Sequence, residues 1–304
     1  MTVDLQTKQP AQSLPLLQLE HVSISPKKMP HRLLVNDVSF SIEIGKTTCV
    51  VGESGSGKSL TALAIMGLLS NQLTLNGGRV LFNDAENGVI DLTKLDDESL
   101  RKLRGDKIAM IFQEPMTSLN PVLTVGYQIG ESLTTHLGLR GEHLNSKIAS
   151  LLEMVGIPAE RAQSYPDELS GGQRQRVMIA MSIACEPSLL IADEPTTALD
   201  VTVQAQILKL LSELKTRMNM GMLFITHDFG VVADIADNVV VMFRGQIVES
   251  GTREQVLCNP QHPYTKALLA CVPDAEGEKR LKPIDYSWLT GDHTAAEAGE
   301  AMHE

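Results

Sequence analysis

The eight residues Gly52-Glu53-Ser54-Gly55-Ser56-Gly57-Lys58-Ser59 constrain this chain more than any other part of it. They match the pattern G-x-x-x-x-G-K-[ST], with a short apolar run (48–51) before and an apolar stretch (59–69) after. The spacing predicts strand, glycine-rich turn and helix in immediate succession. Glycines let the backbone wrap a phosphate chain, and the exposed N–H groups and helix dipole favour its negative charge. Lys58 reaches the terminal phosphates, and the Ser59 hydroxyl suits Mg²⁺. At average composition a chance match in a chain of this length has odds of roughly 1 in 100. A glycine turn that merely caps a helix is therefore the weaker reading.

Around this loop the pattern alternates. Leu17, Leu19, Val22 and Ile24, then Val38, Phe40, Ile42 and Ile44, read as half-buried strands. Short strands return at 77–82 and 88–92. Residues 189–192, 222–226 and 239–243 read as apolar strands, and 203–214 as a helix, with a hairpin through Arg244-Gly245-Gln246. Strand alternating with helix implies a mostly parallel sheet. Between the two halves, residues from about 115 to 166 carry the helical stripe Leu144, Ile148, Leu151, Leu152 and Val155. The expected fold is α/β: a phosphate-loop core, an antiparallel β subdomain and an inserted helical subdomain. The expected layout is a loose tail at 1–13, one domain at 14–273, and an acidic, aperiodic, disordered tail at 274–304.

Composition removes several function classes. The 304 residues are enough for a substantial core, and 43% are hydrophobic. No apolar run approaches the ~20 residues of a spanning helix, and residues 1–13 lack an apolar signal core, so the chain reads as cytoplasmic. A net charge of −11 argues against a sequence-independent grip on nucleic acid. Cys49, Cys185, Cys258 and Cys271 lack metal-ligand spacing and read as reduced, buried thiols. The eight histidines are dispersed, mostly as surface or packing residues.

Two further features carry chemistry. Residues 189–194, Leu-Leu-Ile-Ala-Asp-Glu, form an apolar strand ending in two carboxylates. Downstream of a phosphate loop, Asp193 suits the Mg²⁺ shell and Glu194 suits polarising an attacking water. Leu169-Ser170-Gly171-Gly172-Gln173 then opens a helical run. A serine and two glycines at a helix start can be an ordinary N-cap. They also make a second anion site, which suggests that phosphate is gripped from two sides by two chains.

Residues 169–173 resemble the ABC signature, and residues 16–273 resemble the ABC-transporter ATPase family. Other family elements follow in register: Gln113 resembles the Q-loop glutamine, Thr197-Ala198-Leu199-Asp200 the D-loop, and His227 the switch histidine that contacts the γ-phosphate. The resemblance implies an ATPase with Glu194, His227 and Lys58 catalytic. It implies Mg²⁺ held by Ser59, Gln113 and Asp193. The implied nucleotide-binding set is Gly52, Glu53, Ser54, Gly55, Ser56, Gly57, Lys58, Ser59, Thr61, Gln113, Ser170, Gly171, Gly172, Gln173 and Asp200. Within it, Ser170 and Gly172 serve the ATP of a partner chain.

Residues 113–121, 192–204 and 259–265 narrow the resemblance to the dipeptide/oligopeptide/nickel importer subfamily, and 174–181 to its D-type ATPase. That implies an F-type ATPase partner, two membrane permease subunits and an extracytoplasmic solute-binding protein. The chain would then sit peripherally on the cytoplasmic face of the bacterial inner membrane. Two departures stand out. No cysteine follows Cys271, so the iron–sulfur cluster suited to many D-type extensions is not expected. The adenine-stacking aromatic expected after the first strand is replaced by Pro26, leaving His31 as the other candidate ring. Short nickel-type relatives share both departures, which adds weight to metal or metal-chelate uptake. The rival readings are an ABC ATPase of nucleic-acid machinery, which would carry tandem cassettes, coiled-coil inserts or zinc ligands, and a regulatory module without turnover.

Overall fold

A computed structural model describes residues 14–113, 118–197 and 199–271. The expected tails at 1–13 and 274–304 lie outside these residues, as do Ala198 and residues 114–117.

Two sheets form the frame. β1 (Leu17–Pro26), β2 (Val35–Ile42), β4 (Leu73–Asp84) and β5 (Gly88–Asp91) make an antiparallel sheet in the order β2-β1-β4-β5. The second sheet contains β3 (Thr47–Val51), β6 (Ile108–Ile111), β7 (Leu189–Asp193), β8 (Gly221–Thr226), β9 (Asn238–Phe243) and β10 (Gln246–Thr252). Its order is β10-β9-β3-β8-β7-β6, parallel except for the β9–β10 hairpin.

The strands of the second sheet are nearly all apolar because both faces are covered. In β3, Cys49 and Val51 enter one core while Val50 enters the other. In β7, Leu190 and Ala192 face the first core, and Leu189 and Ile191 the second. The second core also holds the antiparallel sheet and α1 (Lys58–Ile65). The first holds α3 (Val125–Leu137), α4 (Gly141–Met154), α5 (Gly171–Ser182), α6 (Val201–Met218) and α7 (Phe229–Ile235); α2 (Asp97–Leu103) lies on the opposite side. Each fully buried Leu, Ile or Phe contributes about 1.5–3 kcal/mol of transfer free energy, so the two cores fix the sheet from both sides.

The expected helical insertion is present as α3 and α4, joined through left-handed Gly138. Its layer continues past residue 166, because α5 packs on α3, α4 and β6.

Local expectations fail in three places. α1 stops at Ile65 rather than near residue 69, because Gly67 turns left-handed (φ +61°). A Cβ at Gly67 would lie 2.6 Å from Leu100 Cδ1, so the turn that ends the helix against α2 calls for glycine. Ile44 falls beyond β2 and is 56% exposed, since the turn into β3 interrupts the alternation. Of the four cysteines only Cys49 and Cys185 are buried; Cys258 is exposed at the end of α8 (Arg253–Cys258), and Cys271 is half-buried after α9 (Pro263–Ala270).

Candidate nucleotide site

Because β3, β6, β7 and β8 run parallel, their C-terminal ends share one edge of the sheet, where open α/β sheets bind ligands. β3 delivers the loop 52–57, β7 delivers Asp193 and Glu194, β8 delivers His227, and β6 delivers Gln113 two residues past its end. Gly52, Glu53, Ser54, Gln113, Glu194, His227 and Leu268 line a cavity of about 400 Å³ there. A larger groove of about 690 Å³ lies elsewhere, between α3 and α4, and holds none of these groups. Chemistry rather than size marks the site.

The loop is backbone-driven. Gly52, Gly55 and Gly57 have φ of +150°, +80° and +103°, a region that L side chains rarely adopt. A Cβ at Gly52 would lie 2.1 Å from the Met242 carbonyl oxygen, so β9 leaves room only for glycine. Gly57 opens α1, and the Thr61 hydroxyl donates to the Gly57 carbonyl at 3.0 Å. Lys58 is 5% exposed, and its Nζ donates to the carbonyls of Gly52 (2.7 Å) and Glu53 (2.8 Å). Burial pulls its pKa down, while Glu194, Asp193 and Glu53 oppose the shift.

Ser59 Oγ donates to Asp193 Oδ1 at 3.0 Å. Burial raises the Asp193 pKa and Glu194 adds to it, while the Ser59 hydrogen bond and Lys58 pull it down. A hydroxyl and a desolvated carboxylate are the hard oxygen donors that Mg²⁺ takes beside substrate phosphates, and a dication would relieve the buried charge. The donor set fits the ion.

Glu194 sits in the left-handed region (φ +46°), which turns the chain sharply after β7. Its Oε2 accepts from Gln113 Nε2 (3.1 Å) and Thr197 Oγ1 (2.9 Å) and lies 3.4 Å from His227 Nδ1. Gln113 thus contacts the carboxylate expected to act on water rather than Asp193. Thr197 enters the site through an i,i+3 bond that sequence reading did not assign. Leu268 and Tyr264 were not assigned to the site either; Tyr264 was read only as part of the His-Pro-Tyr-Thr segment, and Leu268 follows it.

The signature residues stand apart. Ser170 caps α5 by accepting from Gln173 N (3.3 Å), while the Gln173 side chain accepts from Ser170 N (2.9 Å). A Cβ at Gly171 would meet nothing within 4 Å, whereas one at Gly172 would lie 2.8 Å from Val203 Cγ1. Asp200 caps α6 through Val203 N (2.9 Å). None of these residues lines the phosphate-loop cavity.

A family model described as "ABC transporter" matches residues 35–197, and one described as "Oligopeptide/dipeptide transporter, C-terminal region" matches 248–289. The chain is 52% identical over 252 residues to a protein of Brucella ovis named for peptide import and ATP binding, covering 81% of this chain and 75% of that one. It is 48% identical over 288 residues to the glutathione import ATP-binding protein GsiA of Escherichia coli K12, covering 93% of this chain but 46% of that protein. Among solved structures, the ATP-binding cassette MJ0796, dimeric in a post-hydrolysis state with ADP and Pi, matches with TM-score 0.68 and 29% identity over 78% of this chain and 98% of that one. CbiO1 of Clostridium perfringens, part of the ABC transporter complex cbiONQ, matches with TM-score 0.69 and 27% identity over 81% and 91%. The nucleic-acid reading gains nothing from these relatives. With phosphate loop, paired carboxylates and strand-end histidine on one sheet edge, the chain belongs to the ABC transporter family as one of its ATP-hydrolysing cassettes.

Proposed function

We propose that this cassette powers import of a peptide or peptide-like solute, as half of an ATP-sandwich dimer at the cytoplasmic face of the membrane. The relatives above are named for peptide or glutathione import, which favours that cargo class over the nickel or metal-chelate reading. The permeases, the solute-binding protein and an F-type ATPase partner follow from this reading. So does a domain spanning 14–273.

The observation that carries it is the division of the site. Glu194, His227 and Gln113 face the phosphate loop, while Ser170–Gln173 lie outside that cavity, as a two-chain sandwich requires. In the proposed mechanism the loop amides and Lys58 hold the phosphates. Glu194, oriented through Oε2 by Thr197 and Gln113, accepts the proton of the attacking water, and His227 stabilises charge on the γ-phosphate. Mg²⁺, when bound, neutralises developing phosphate charge, and Ser59 and Asp193 would hold it. The chain's own contribution is positioning and electrostatics.

The test is turnover against concentration and partners. The isolated chain is expected to be monomeric and a poor ATPase, with activity rising when an F-type partner and the permeases are added. Full, concentration-independent turnover by a monomer sinks the sandwich.

A further inference from the structure

The C-terminal helix α9 contributes two side chains to the site. Tyr264 is fully buried, and its ring lies 4.4 Å from that of Phe243, the last residue of β9. Its hydroxyl accepts a hydrogen bond from Glu53 N at 3.1 Å, across 211 residues of sequence. Glu53 in turn accepts Lys58 Nζ on its carbonyl (2.8 Å). Glu53 N also belongs to the peptide group whose carbonyl, Gly52 O, accepts Lys58 Nζ at 2.7 Å, so a single peptide group links α9 to that ammonium. Leu268, one helical turn beyond Tyr264 and on the same face, lines the cavity beside Gln113, Glu194 and His227.

The helix is held firmly enough to act as a support. His262 caps it through Nδ1, which accepts from Tyr264 N (3.2 Å), and Pro263 follows at its first position. The Glu249 carboxylate of β10 accepts from Gln261 N (2.7 Å) and His262 N (3.0 Å). On the neighbouring side the loop is braced by β9 and its turn: Gly245 N donates to Ser56 O at 3.0 Å, and the Met242 carbonyl closes over Gly52. Those contacts secure Gly52 and Ser56, and Tyr264 secures the peptide between them.

We propose that α9 is a working part of the nucleotide site: Tyr264 is a positioning residue that fixes the Glu53 peptide and, through it, the Lys58 ammonium, while Leu268 walls the chamber of Glu194 and His227. The C-terminal region is thereby coupled to the nucleotide, and by reciprocity ATP steadies α9. This rests on the reading of Gly52–Ser59 as the ATP site.

The experiment uses the full chain and Tyr264→Phe, which keeps the ring against Phe243 and removes only the hydroxyl. ATP is titrated in the presence of EDTA to suppress turnover, with Lys58→Ala alongside, and amide exchange is followed without nucleotide. One neutral hydrogen bond lost from the half-buried Glu53 N–H predicts ATP binding weakened about 3- to 10-fold. Exchange should quicken across residues 52–57, with 263–270 as protected as in wild type. Wild-type ATP affinity in Tyr264→Phe overturns the proposal. So does loss of protection throughout α9, which would make Tyr264 a packing residue alone. If the wild type fails to bind ATP, or Lys58→Ala binds it equally well, the phosphate-loop reading falls and takes the proposal with it.

Discussion

Glu194→Gln tests the catalytic assignment because it should stop turnover while ATP binding is retained. The amide is isosteric, and its oxygen can take the place of Oε2, where Thr197 Oγ1 (2.9 Å) and Gln113 Nε2 (3.1 Å) donate. The local structure should survive, each hydrogen bond falling from charge-assisted to neutral strength. The variant also removes a negative charge from a cavity meant for a polyphosphate, so ATP affinity should hold or rise. What disappears is the acceptor for the proton of the attacking water. General-base contributions are typically about 10²–10⁴-fold, and residual positioning by Lys58 and His227 argues for the lower half of that range. Turnover should therefore fall about 10²–10³-fold, equivalent to about 3–4 kcal/mol of barrier. Phosphate release at saturating ATP, measured beside equilibrium ATP binding in the assembled complex, reads both numbers. Turnover within a few-fold of wild type would refute the role given to Glu194, and a parallel loss of binding would show that the carboxylate shapes the site instead.

Two further substitutions probe the frame. Gly52→Ala places a Cβ 2.1 Å from the Met242 carbonyl, so either β9 or the loop must move by about 1 Å; overpacking of this kind costs about 1–3 kcal/mol, and chemical denaturation together with ATP titration should show lost stability, lost binding or both. A variant that matches wild type in both would mean the close approach is absent in solution. The cysteines should react in order of access: burial pushes the Cys185 thiol up to about 11 and Cys49 higher still, so at neutral pH a thiol reagent should label exposed Cys258 quickly and those two only on unfolding. Labelling of Cys49 at the rate of Cys258 in the folded chain would contradict the core described here.

What the sequence determined by itself was whatever is local or periodic. The phosphate loop is contiguous, and its glycines, the preceding β-strand and the following helix are specified within about twenty residues, so its conformation was legible. The Ser170 cap was legible in the same way, answering a backbone N–H three residues on, whereas the matching cap by Asp200 was not read. Apolar runs marked β3, β7, β8 and β9 of the parallel sheet, because burial on both faces leaves no other pattern, while the short β6 (Ile108–Ile111) was not read. Tertiary structure decided which local units meet. Ser59 and Asp193 are 134 residues apart and Gln113 and Glu194 are 81 apart, and only the strand order β3-β8-β7-β6 sets them on one edge. The contact of the Gln113 amide with Glu194 is likewise a choice of partner that spacing does not encode. The close packing of Leu100 from another helix on Gly67 was not legible, nor was the outward turn of Ile44 at the bend into β3. Tyr264 is the clearest case: its subfamily motif was visible, but nothing near it in sequence points to Glu53. A hydrogen bond between an α9 side chain and a backbone amide 211 residues earlier exists only because β9 carries the C-terminal segment back beside β3.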